Sequence, residues 1–489
     1  MLPTWNLPFG SLGLLLHVLV AAGFTLRLIW RKLNITVTLA WISVIVFLPV
    51  VGLVLYFLFG SRKMGRRREK LGGRIRKHYI EAYRLVDETI EPDEIDTDEL
   101  FTDLSRALYD MTGFRPVEGN EIHLLKTDEA IFHRMIEDIG AADTTVFAEF
   151  YIIHPEGYPV DVMKALEAAS RRGVDVKLLA DAIGSRPFFK SEWPERLRRA
   201  GVEVATSLPV GLLKSVSKRT DLRNHRKILV VDQKVGYIGS CNLTDPKLFK
   251  PEDGYWVDLM ARVEGPFAES LSVVVAADFL YDHVGADFTR SDLEAFPTES
   301  IHPRKQGPAV AQLVPSGPEM GFAVIYEAIV AALFAAKDRV MIVTPYFVPD
   351  DALMMALGNA RRRGVEVVLV VPADGDSVMV EYASRAAFDD LLAAGVHIAR
   401  FHGGMLHTKA LLIDSDISFV GTVNMDMRSL NLNLEVTMIV YDESFNTEMR
   451  ELVDGYLEDS TFIDADEFAG RGSWTRFKEN VFRLVSPLL

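Results

Sequence analysis

The chain contains an internal duplication, and this feature constrains its fold more than any other. Residues 144–181 read as a strand, a helix and a strand, and residues 338–372 repeat that order with matching breaks. Each helical stretch ends in basic residues and a glycine, Gly173 or Gly364, which predicts a left-handed C-cap. The repeat, which runs from about residue 120 to 470, therefore predicts an α/β fold with duplicated domains. Each domain is a mixed β-sheet flanked by helices, and a pseudo-twofold relates the two.

A longer motif recurs inside the duplication, as NHRKILVVDQKVGYIGSCN in the first copy and LHTKALLIDSDISFVGTVN in the second. In both copies a histidine is followed by lysine, aspartate, glycine and asparagine at offsets of 2, 7, 14 and 17 residues. The members are His225, Lys227, Asp232, Gly239 and Asn242 in the first copy, and His407, Lys409, Asp414, Gly421 and Asn424 in the second. An apolar run, a polar turn and a second apolar run predict a β-hairpin in each copy.

Phosphodiester chemistry gives this pair of motifs a role. A neutral imidazole can attack phosphorus and form a phosphohistidine, while a protonated imidazole donates to the leaving alkoxide and later deprotonates the incoming alcohol. Lysines and asparagines can hold the non-bridging oxygens. The sequence thus predicts a catalytic set of His225, Lys227, Asp232, His407, Lys409 and Asp414, supported at the phosphate by Asn242 and Asn424.

Two parts of that prediction stay open at this point. Repeat symmetry does not say which histidine is the nucleophile. The aspartates Asp232 and Asp414 share the motif, but each follows its strand at the end far from the histidine. That position favours shaping the turn, or pairing with a nearby cation, over contact with the substrate.

Two apolar stretches precede the repeats, at residues 11–30 and 33–61. Each is long enough to cross a bilayer, which takes about 20 helical residues. Basic residues crowd residues 62–77, whereas Arg31 and Lys32 are the cations between the stretches. The positive-inside rule therefore predicts a transmembrane hairpin whose two ends face the cytoplasm. A cleaved signal peptide is disfavoured because no basic residue precedes the first stretch.

These features divide the chain into five expected regions. They are a transmembrane hairpin at 1–60, a basic juxtamembrane segment and linker at 61–100, the first repeat at 101–295, the second at 296–470, and a C-terminal helix at 471–489. The last region carries Trp474, Phe477, Val481 and Leu484 at helical spacing. Such a stripe is expected to pack on a core, with membrane contact as the less favoured alternative.

Composition limits the partners. The formal net charge is −15, which argues against a nucleic-acid binder but leaves room for a local basic pocket that takes an anionic lipid. The 11 histidines show no tight spacing with carboxylates or thiols, so no metal site is expected. Cys241 is the single cysteine, so the chain cannot form an internal disulfide.

The duplicated motif matches the phospholipase D signature H-x-K-x4-D-x6-G-S-x-N in both copies. Ser240 keeps the signature serine of the first copy, and Thr422 replaces it in the second while keeping the hydroxyl. More narrowly, the chain resembles the bacterial cardiolipin synthases. The resemblance lies in the second apolar stretch and in RNHRK, DLMARVEGP, TPYFVP, GTVNMDMRSLNLNLEV and the closing SPLL.

That resemblance implies roles for several residues. The first histidine, His225, would be the nucleophile, and His407 the general acid and base. An acidic residue bonded to the catalytic histidine is expected after each motif, and Asp258 and Glu435 hold the matching places. For Asp258 a charge facing solvent is an equal alternative. The family also implies no metal or other cofactor, phospholipid substrates, and a multi-pass protein of the bacterial inner membrane with a cytoplasmic catalytic domain.

The expected reaction is transfer of a phosphatidyl group between two phosphatidylglycerol molecules, giving cardiolipin and glycerol. A membrane-bound phospholipase D-type hydrolase is the nearest alternative, because water can replace the accepting alcohol. A nuclease or other phosphodiesterase is disfavoured by the acidic balance and by the lack of an aromatic-basic stripe. The intact His, Lys and Asn sets disfavour a non-catalytic lipid-binding scaffold. The preferred donor and acceptor and the oligomeric state stay open.

Overall fold

The structure is a computed structural model. It describes residues 8–30, 35–48, 51–53, 55–56, 95, 97, 99–209, 222–283, 305–318, 320 and 323–484. Its contacts divide the chain into two compact units, Met1–Arg66 with Val210–Leu222, and Arg67–Pro209 with Arg223–Leu489. The predicted basic segment falls largely on residues 57–94, outside the described residues.

The first unit contains two apolar helices, α1 (Pro8–Trp30) and α2 (Ile35–Phe47), within the two predicted stretches. Their contact includes buried Leu28 and Ile45. Among the described residues, no helix meets the length and apolarity needed for a membrane span. The transmembrane character of residues 1–60 therefore stays a prediction.

The second unit is built on a 15-stranded sheet that runs through both repeats. Its order is β17-β12-β11-β10-β14-β15-β16-β9-β1-β8-β6-β5-β2-β3-β4. The strands of the first half are β1 (Val117–Leu125), β2 (Thr145–Phe150), β3 (Asp175–Asp181), β4 (Glu203–Ser207), β5 (Lys227–Val231), β6 (Val235–Gly239) and β8 (Met260–Glu264). Those of the second half are β9 (Ala309–Ser316), β10 (Arg339–Val343), β11 (Glu366–Pro372), β12 (His397–Phe401), β14 (Ala410–Ile413), β15 (Ile417–Gly421), β16 (Glu435–Tyr441) and β17 (Ser460–Phe462).

The strand order itself displays the duplication. Outward from the central antiparallel pair β1–β9, one half reads β8-β6-β5-β2-β3-β4 and the other β16-β15-β14-β10-β11-β12. In each half two parallel pairs lie outside the antiparallel ones, and β17 adds an antiparallel edge strand to the second half. The predicted mixed sheet with duplicated domains is confirmed.

Helices cover both faces of the sheet. Those of the first repeat are α3 (Glu99–Thr112), α4 (Asp128–Ala141), α5 (Tyr158–Arg171), α6 (Arg186–Lys190), α7 (Trp193–Ala200) and α8 (Pro266–His283). Those of the second are α9 (Val324–Ala335), α10 (Asp351–Arg362), α11 (Val378–Ala393), α12 (Met427–Asn431), α13 (Glu443–Glu458), α14 (Ala465–Ala469) and α15 (Ser473–Leu484). Helices α8 and α13 share one apolar core that continues through both repeats, whereas the opposite face has a separate core in each repeat.

Local sequence patterns correctly predicted where several of these elements end. Gly173 and Gly364 have φ of 96° and 94°, as the predicted left-handed caps require. Both hairpin turns also enter the left-handed region, at Asp232 (φ 50°) and Asp414 (φ 53°). Asp tolerates this conformation better than most side chains, so the third motif residue shapes the turn that reverses the chain.

One expectation about the C-terminal helix is wrong. The stripe of Trp474, Phe477 and Val481 does not pack on the core, because these side chains are 66%, 56% and 42% exposed. Helix α15 instead turns its other side inward, where Glu479 is buried and Phe482 stacks on Tyr382.

Candidate active site

The two motif histidines meet because a short parallel pairing joins the repeats. Strands β7 (Trp256–Val257) and β13 (Met405–Leu406) pair, and the Val257 carbonyl accepts from the backbone N–H of His407 at 2.9 Å. The backbone N–H of His225 likewise donates to the Leu434 carbonyl at 2.9 Å. Each histidine is thus anchored on the repeat to which it does not belong.

The carboxylate partners are crossed in the same way. His225 Nδ1 lies 2.9 Å from Glu435 Oε2, and His407 Nδ1 lies 2.7 Å from Asp258 Oδ1. All four side chains are buried. The predicted histidine–carboxylate bonds are present, and neither carboxylate faces solvent. Because each pair takes one member from each repeat, neither repeat holds a complete histidine–carboxylate pair alone.

The hydroxyls of the motif support the carboxylates. Ser240 Oγ donates to Asp258 Oδ1 at 2.5 Å and accepts from the backbone N–H of Leu259. Thr422 Oγ1 makes the equivalent bonds to Glu435 Oε2, at 2.5 Å, and from the N–H of Val436. The replacement of serine by threonine therefore preserves the contact. Both hydroxyls are satisfied within the protein, so they act through the carboxylates rather than on a phosphate.

The motif lysines lie beside the histidines. Lys227 Nζ donates to the His225 carbonyl at 2.7 Å, and Lys409 Nζ to the His407 carbonyl at 2.6 Å. Lys409 also lowers the pKa of His225, and Lys227 that of His407, across the repeat boundary. Charges from both repeats therefore act together in one site.

The asparagines differ in their partners. Asn242 Oδ1 accepts from the backbone N–H of Ile152 at 3.2 Å, which fixes the direction of its amide. Asn424 is also buried, and its Oδ1 has no hydrogen-bond partner among the described residues, while its side chain bonds to Asp426. Both amides lie in the buried motif hairpins.

Burial sets the protonation of the histidines. It lowers the pKa of His225 and of His407 to about 4, so both imidazoles are neutral near pH 7. Burial raises the pKa of Asp258, but pairing with His407 and attraction to Lys409 outweigh this and lower the pKa to about 2. Each neutral ring thus donates its Nδ1 proton to a carboxylate and keeps a lone pair on Nε2.

Burial also lowers the pKa of the two lysines. The pKa of Lys227 falls to about 8 and that of Lys409 to about 7, with each held up partly by Glu435 and Asp258. An arriving phosphodiester would offset part of the effect of burial, because its negative charge stabilises the protonated form of both lysines and raises their pKa.

The motif aspartates lie elsewhere. Asp232 accepts from the backbone N–H groups of Asp143, Thr144 and Thr145 at 2.8–2.9 Å. Asp414 accepts from those of Lys337, Asp338 and Arg339 at 2.8–3.2 Å. Each carboxylate thus ties its hairpin to the segment that enters the neighbouring strand, β2 or β10. The full strand β5, roughly 16 Å long, lies between His225 and Asp232. The geometry does not bring either aspartate to the histidines.

Sequence reasoning missed two aromatic residues. Tyr151 contacts His225 edge to face at 5.0 Å, and Trp256 contacts His407 at 4.8 Å. Tyr151 follows β2 whereas Trp256 is the first residue of β7, so the repeat alignment does not pair them. Trp256 lies two residues before Asp258, and this closeness in sequence could have indicated that Trp256 lies at the site.

A buried polar network lies beside His225, and the described residues form no equivalent network at His407. Arg226 Nε donates to the Glu435 carbonyl and its Nη2 to the Ser316 carbonyl, both at 3.0 Å. Its Nη1 forms an ion pair with Asp278 on α8. At the matching position of the second repeat, Thr408 shares a hydroxyl contact of 3.0 Å with Tyr456.

The described residues include no group of three or more His, Cys, Asp or Glu side chains placed to hold a metal ion. Lys227 and Lys409 are two cations that this site can offer to a substrate phosphate. The arrangement suits displacement at the phosphorus of an anionic phosphodiester by a ring nitrogen.

Comparison with known proteins agrees with this geometry. The family model described as "Cardiolipin synthase, PLD-like domain" matches residues 135–257 and 329–456, and a "Phospholipase_D-nuclease N-terminal" model matches residues 19–61. The fold is similar to that of a phosphatidylserine synthase from Haemophilus influenzae. That match has a TM-score of 0.59 and 14% identity, and covers 79% of this chain and 100% of that one.

Curated relatives are similar over almost their whole length. Cardiolipin synthase A of Erwinia tasmaniensis is 38% identical over 99% of this chain and 98% of that protein. Cardiolipin synthase A of Serratia proteamaculans gives the same values, and that of Yersinia pseudotuberculosis is 38% identical over 96% of both chains. With its duplicated domain and both motifs intact, the chain belongs to the cardiolipin synthase family of the phospholipase D superfamily.

Proposed function

We propose that this protein transfers a phosphatidyl group from one phosphatidylglycerol to the free hydroxyl of a second, giving cardiolipin and glycerol. The observation that carries the proposal is the crossed pairing of His225 with Glu435 and of His407 with Asp258. It occupies Nδ1 of each ring and leaves two Nε2 atoms for one reaction. The near full-length similarity to cardiolipin synthases supports the choice of phospholipid as substrate class.

In the first step Nε2 of His225 attacks phosphorus and forms a P–N bond as the bond to the glycerol oxygen breaks. Nε2 of His407, protonated as the anionic substrate binds, gives its proton to that oxygen, and glycerol leaves. Glu435 stabilises the positive charge that develops on the attacking ring. Lys227 and Lys409, with Asn242 and Asn424, hold the non-bridging oxygens.

In the second step the hydroxyl of another phosphatidylglycerol gives its proton to Nε2 of His407 and attacks the phosphatidyl-histidine. The P–N bond breaks, and His225 returns to its neutral form. No proton is gained or lost over the two steps. Water in place of this alcohol would give phosphatidic acid.

A cavity in the second repeat has room for part of a lipid; motif residues do not line it, and a chain of contacts connects its wall to His407. It has a volume of about 370 Å³ and lies at the ends of β10, β11 and β12, where Tyr346 and Phe347 form part of its wall. Tyr346 bonds to Asp376, which pairs with Lys250, and Lys250 lies over the ring of Trp256 beside His407. The open ends of parallel strands are where α/β folds bind ligands.

We further propose that residues 1–60 are a two-span anchor in the bacterial inner membrane, with the catalytic repeats, 101–295 and 296–470, on the cytoplasmic side. Support comes from the length and apolarity of the two stretches and from the basic cluster after the second. An anchor there would keep the repeats beside their lipid substrates. Topology reporters fused after residues 32 and 100 should report locations on opposite sides of the membrane.

The test uses full-length protein in phosphatidylglycerol vesicles with a chelator present. Mass spectrometry follows the lipids and an enzymatic assay follows glycerol. We expect cardiolipin and glycerol in equal amounts, abolished in His225→Ala and His407→Ala and retained in His133→Ala, which removes an exposed histidine of the first repeat that does not line the cavity. Phosphatidic acid in place of cardiolipin would identify a hydrolase, and full activity in either catalytic variant would refute the mechanism.

A further inference from the structure

Helix α15 has two unlike sides. Its inner side is fixed to α11, where Glu479 is 1% exposed and bonds to Arg385 at 2.8 Å and to Arg471 at 2.9 Å. Phe482 stacks on Tyr382 of α11 with ring centroids 5.2 Å apart. A buried carboxylate bonded to two guanidinium groups fixes how the helix is rotated, so the outer side is a defined surface.

That outer side is apolar. Trp474, Phe477 and Val481 are spaced as one face of a helix, and we call them the α15 stripe. The rings of Trp474 and Phe477 stack with centroids 5.3 Å apart while both stay more than half exposed. Val378 and Met379, 65% and 44% exposed, start α11 one turn before Tyr382 and extend the apolar surface.

Cations border the stripe. Arg476, Lys478 and Arg483 are exposed on α15, and Lys478 lies over the ring of Trp474. The helix has a single carboxylate, Glu479, and that one is turned inward. An outer surface of cations and aromatic residues is unusual in a chain whose formal net charge is −15. This combination matches an anionic lipid surface, which attracts the cations and accepts the rings at headgroup depth.

We propose that the α15 stripe lies on an anionic bilayer and holds the second repeat at the headgroup layer. This contact is separate from the proposed anchor at residues 1–60 and does not depend on the proposed reaction. The rings enter the interface while Arg476, Lys478 and Arg483 contact lipid phosphates. A second copy of the chain is a competing occupant that the test distinguishes.

The test places an environment-sensitive fluorophore at Val481→Cys in a Cys241→Val background, where the buried cysteine takes the residue found at its counterpart, Val423. Full-length protein is reconstituted in vesicles of phosphatidylcholine with or without phosphatidylglycerol. We expect the probe to be shielded from aqueous iodide and quenched by lipids labelled near the headgroup, and only when phosphatidylglycerol is present. Attachment of the chain elsewhere does not by itself bury this probe.

A matched pair of triple variants tests the charges. Each cation near an anionic surface contributes roughly a fivefold preference, so Arg476→Gln with Lys478→Gln and Arg483→Gln should lower the ratio of docked to undocked helix by about a hundredfold. The control removes three exposed cations of the first repeat, by Arg134→Gln, Lys164→Gln and Arg199→Gln, and should leave shielding unchanged.

Several outcomes would overturn the proposal. One is equal iodide quenching with and without phosphatidylglycerol; another is an equal effect of both triple variants. Shielding that persists without lipid and rises with protein concentration would identify a second copy as the occupant. The measurement needs no turnover. Shielding of the probe therefore tests the membrane contact of α15 separately from the proposed reaction.

Discussion

Glu435→Gln removes one charge from the active site and almost nothing else. Glu435 Oε2 accepts from His225 Nδ1 and Thr422 Oγ1, while Oε1 faces the Asn433 amide at 3.3 Å. A glutamine oxygen can replace Oε2. Its NH2 group then faces Asn433, whose Oδ1 has no partner among the described residues and can accept after the amide rotates. The fold and the ring orientation should therefore survive.

The expected loss follows from the charge. A hydrogen bond to a charged group contributes about 1.5–3 kcal/mol, and here the charge is needed most when His225 becomes cationic in the covalent intermediate. Formation of that intermediate should slow by roughly 10- to 150-fold. If the glutamine also turned the ring to the other tautomer, the loss would approach ~10⁴-fold.

Asp258→Asn is the matched control, because it makes the same change at His407. With phosphatidylglycerol both variants should be slow, since the glycerol oxygen needs a proton to leave. With a nitrophenyl ester of phosphatidic acid the leaving group needs no proton. Asp258→Asn should then release the first nitrophenol at close to the wild-type rate, whereas Glu435→Gln should stay slow.

Rapid-quench measurement of the nitrophenol burst reports this first step. Alkaline denaturation preserves the phosphohistidine for mass spectrometry. Equal burst rates in both variants would refute separate roles for the two carboxylates. Recovery of Glu435→Gln in place of Asp258→Asn would reverse the assignment of nucleophile and acid. A wild-type rate for Glu435→Gln with either substrate would show that its charge does not act in the reaction.

Three further predictions follow from the same contacts. Because burial lowers the pKa of Lys409 to about 7 and of Lys227 to about 8, kcat/KM should fall as pH rises through this range, and Lys409→Arg should move that limb upward in a pH–rate profile. Asp232→Asn should lower the free energy of unfolding by about 2–3 kcal/mol in a denaturant titration, because the carboxylate accepts from backbone N–H groups. The kcat per titrated active site should stay within about twofold of wild type. Loss of the nitrophenol burst in folded Asp232→Asn protein would contradict this. Arg226→Met should lower the free energy of unfolding by about 3–5 kcal/mol, because it leaves the charge of Asp278 buried and unpaired. Adding Asp278→Leu should restore stability but not kcat, since the backbone of Glu435 lacks its bond to Arg226 in both variants.

Local sequence patterns were sufficient to predict the elements of each repeat. The first apolar run of each motif forms a strand, β5 in the first copy and β14 in the second, as the predicted hairpins require. Their apolar runs end in turns that Asp232 and Asp414 can enter at positive φ. Such signals are local, so a single chain displays them directly.

The crossed pairing was not predictable in the same way. Nothing within the first motif indicates that His225 bonds to Glu435 rather than to Asp258, because both carboxylates follow a motif at matching positions. The choice is made by the β7–β13 pairing and by the bond from the His225 N–H to the Leu434 carbonyl. These contacts join residues about 150 to 210 positions apart, and periodicity carries no information on such pairs.

Two repeats that each supply one histidine would form two equivalent halves unless something distinguishes them, and the chemistry needs one ring to attack and the other to carry a proton. The network around Arg226 is such a difference. Glu149 faces Ile228 in the first repeat, whereas Val343 faces Ala410 in the second, so a buried carboxylate is replaced by an apolar side chain. Burial and the neighbouring Asp278 raise the pKa of Glu149. Arg226 forms an ion pair with Asp278 and also donates a hydrogen bond to the Glu435 carbonyl.

The second repeat differs in the residue that follows its histidine, although the bonds of His407 itself are as short as those of His225. Thr408 replaces Arg226, and its hydroxyl reaches Tyr456 and, at 3.3 Å, the Val257 carbonyl. Among the described residues, no cation bonds to the backbone of Asp258, the partner of His407, as Arg226 bonds to that of Glu435. A rigidly held ring suits a nucleophile, which must keep its line of attack on phosphorus, whereas a proton carrier must serve two different oxygens in succession. The asymmetry of the buried network therefore favours His225 as the nucleophile on grounds independent of family resemblance.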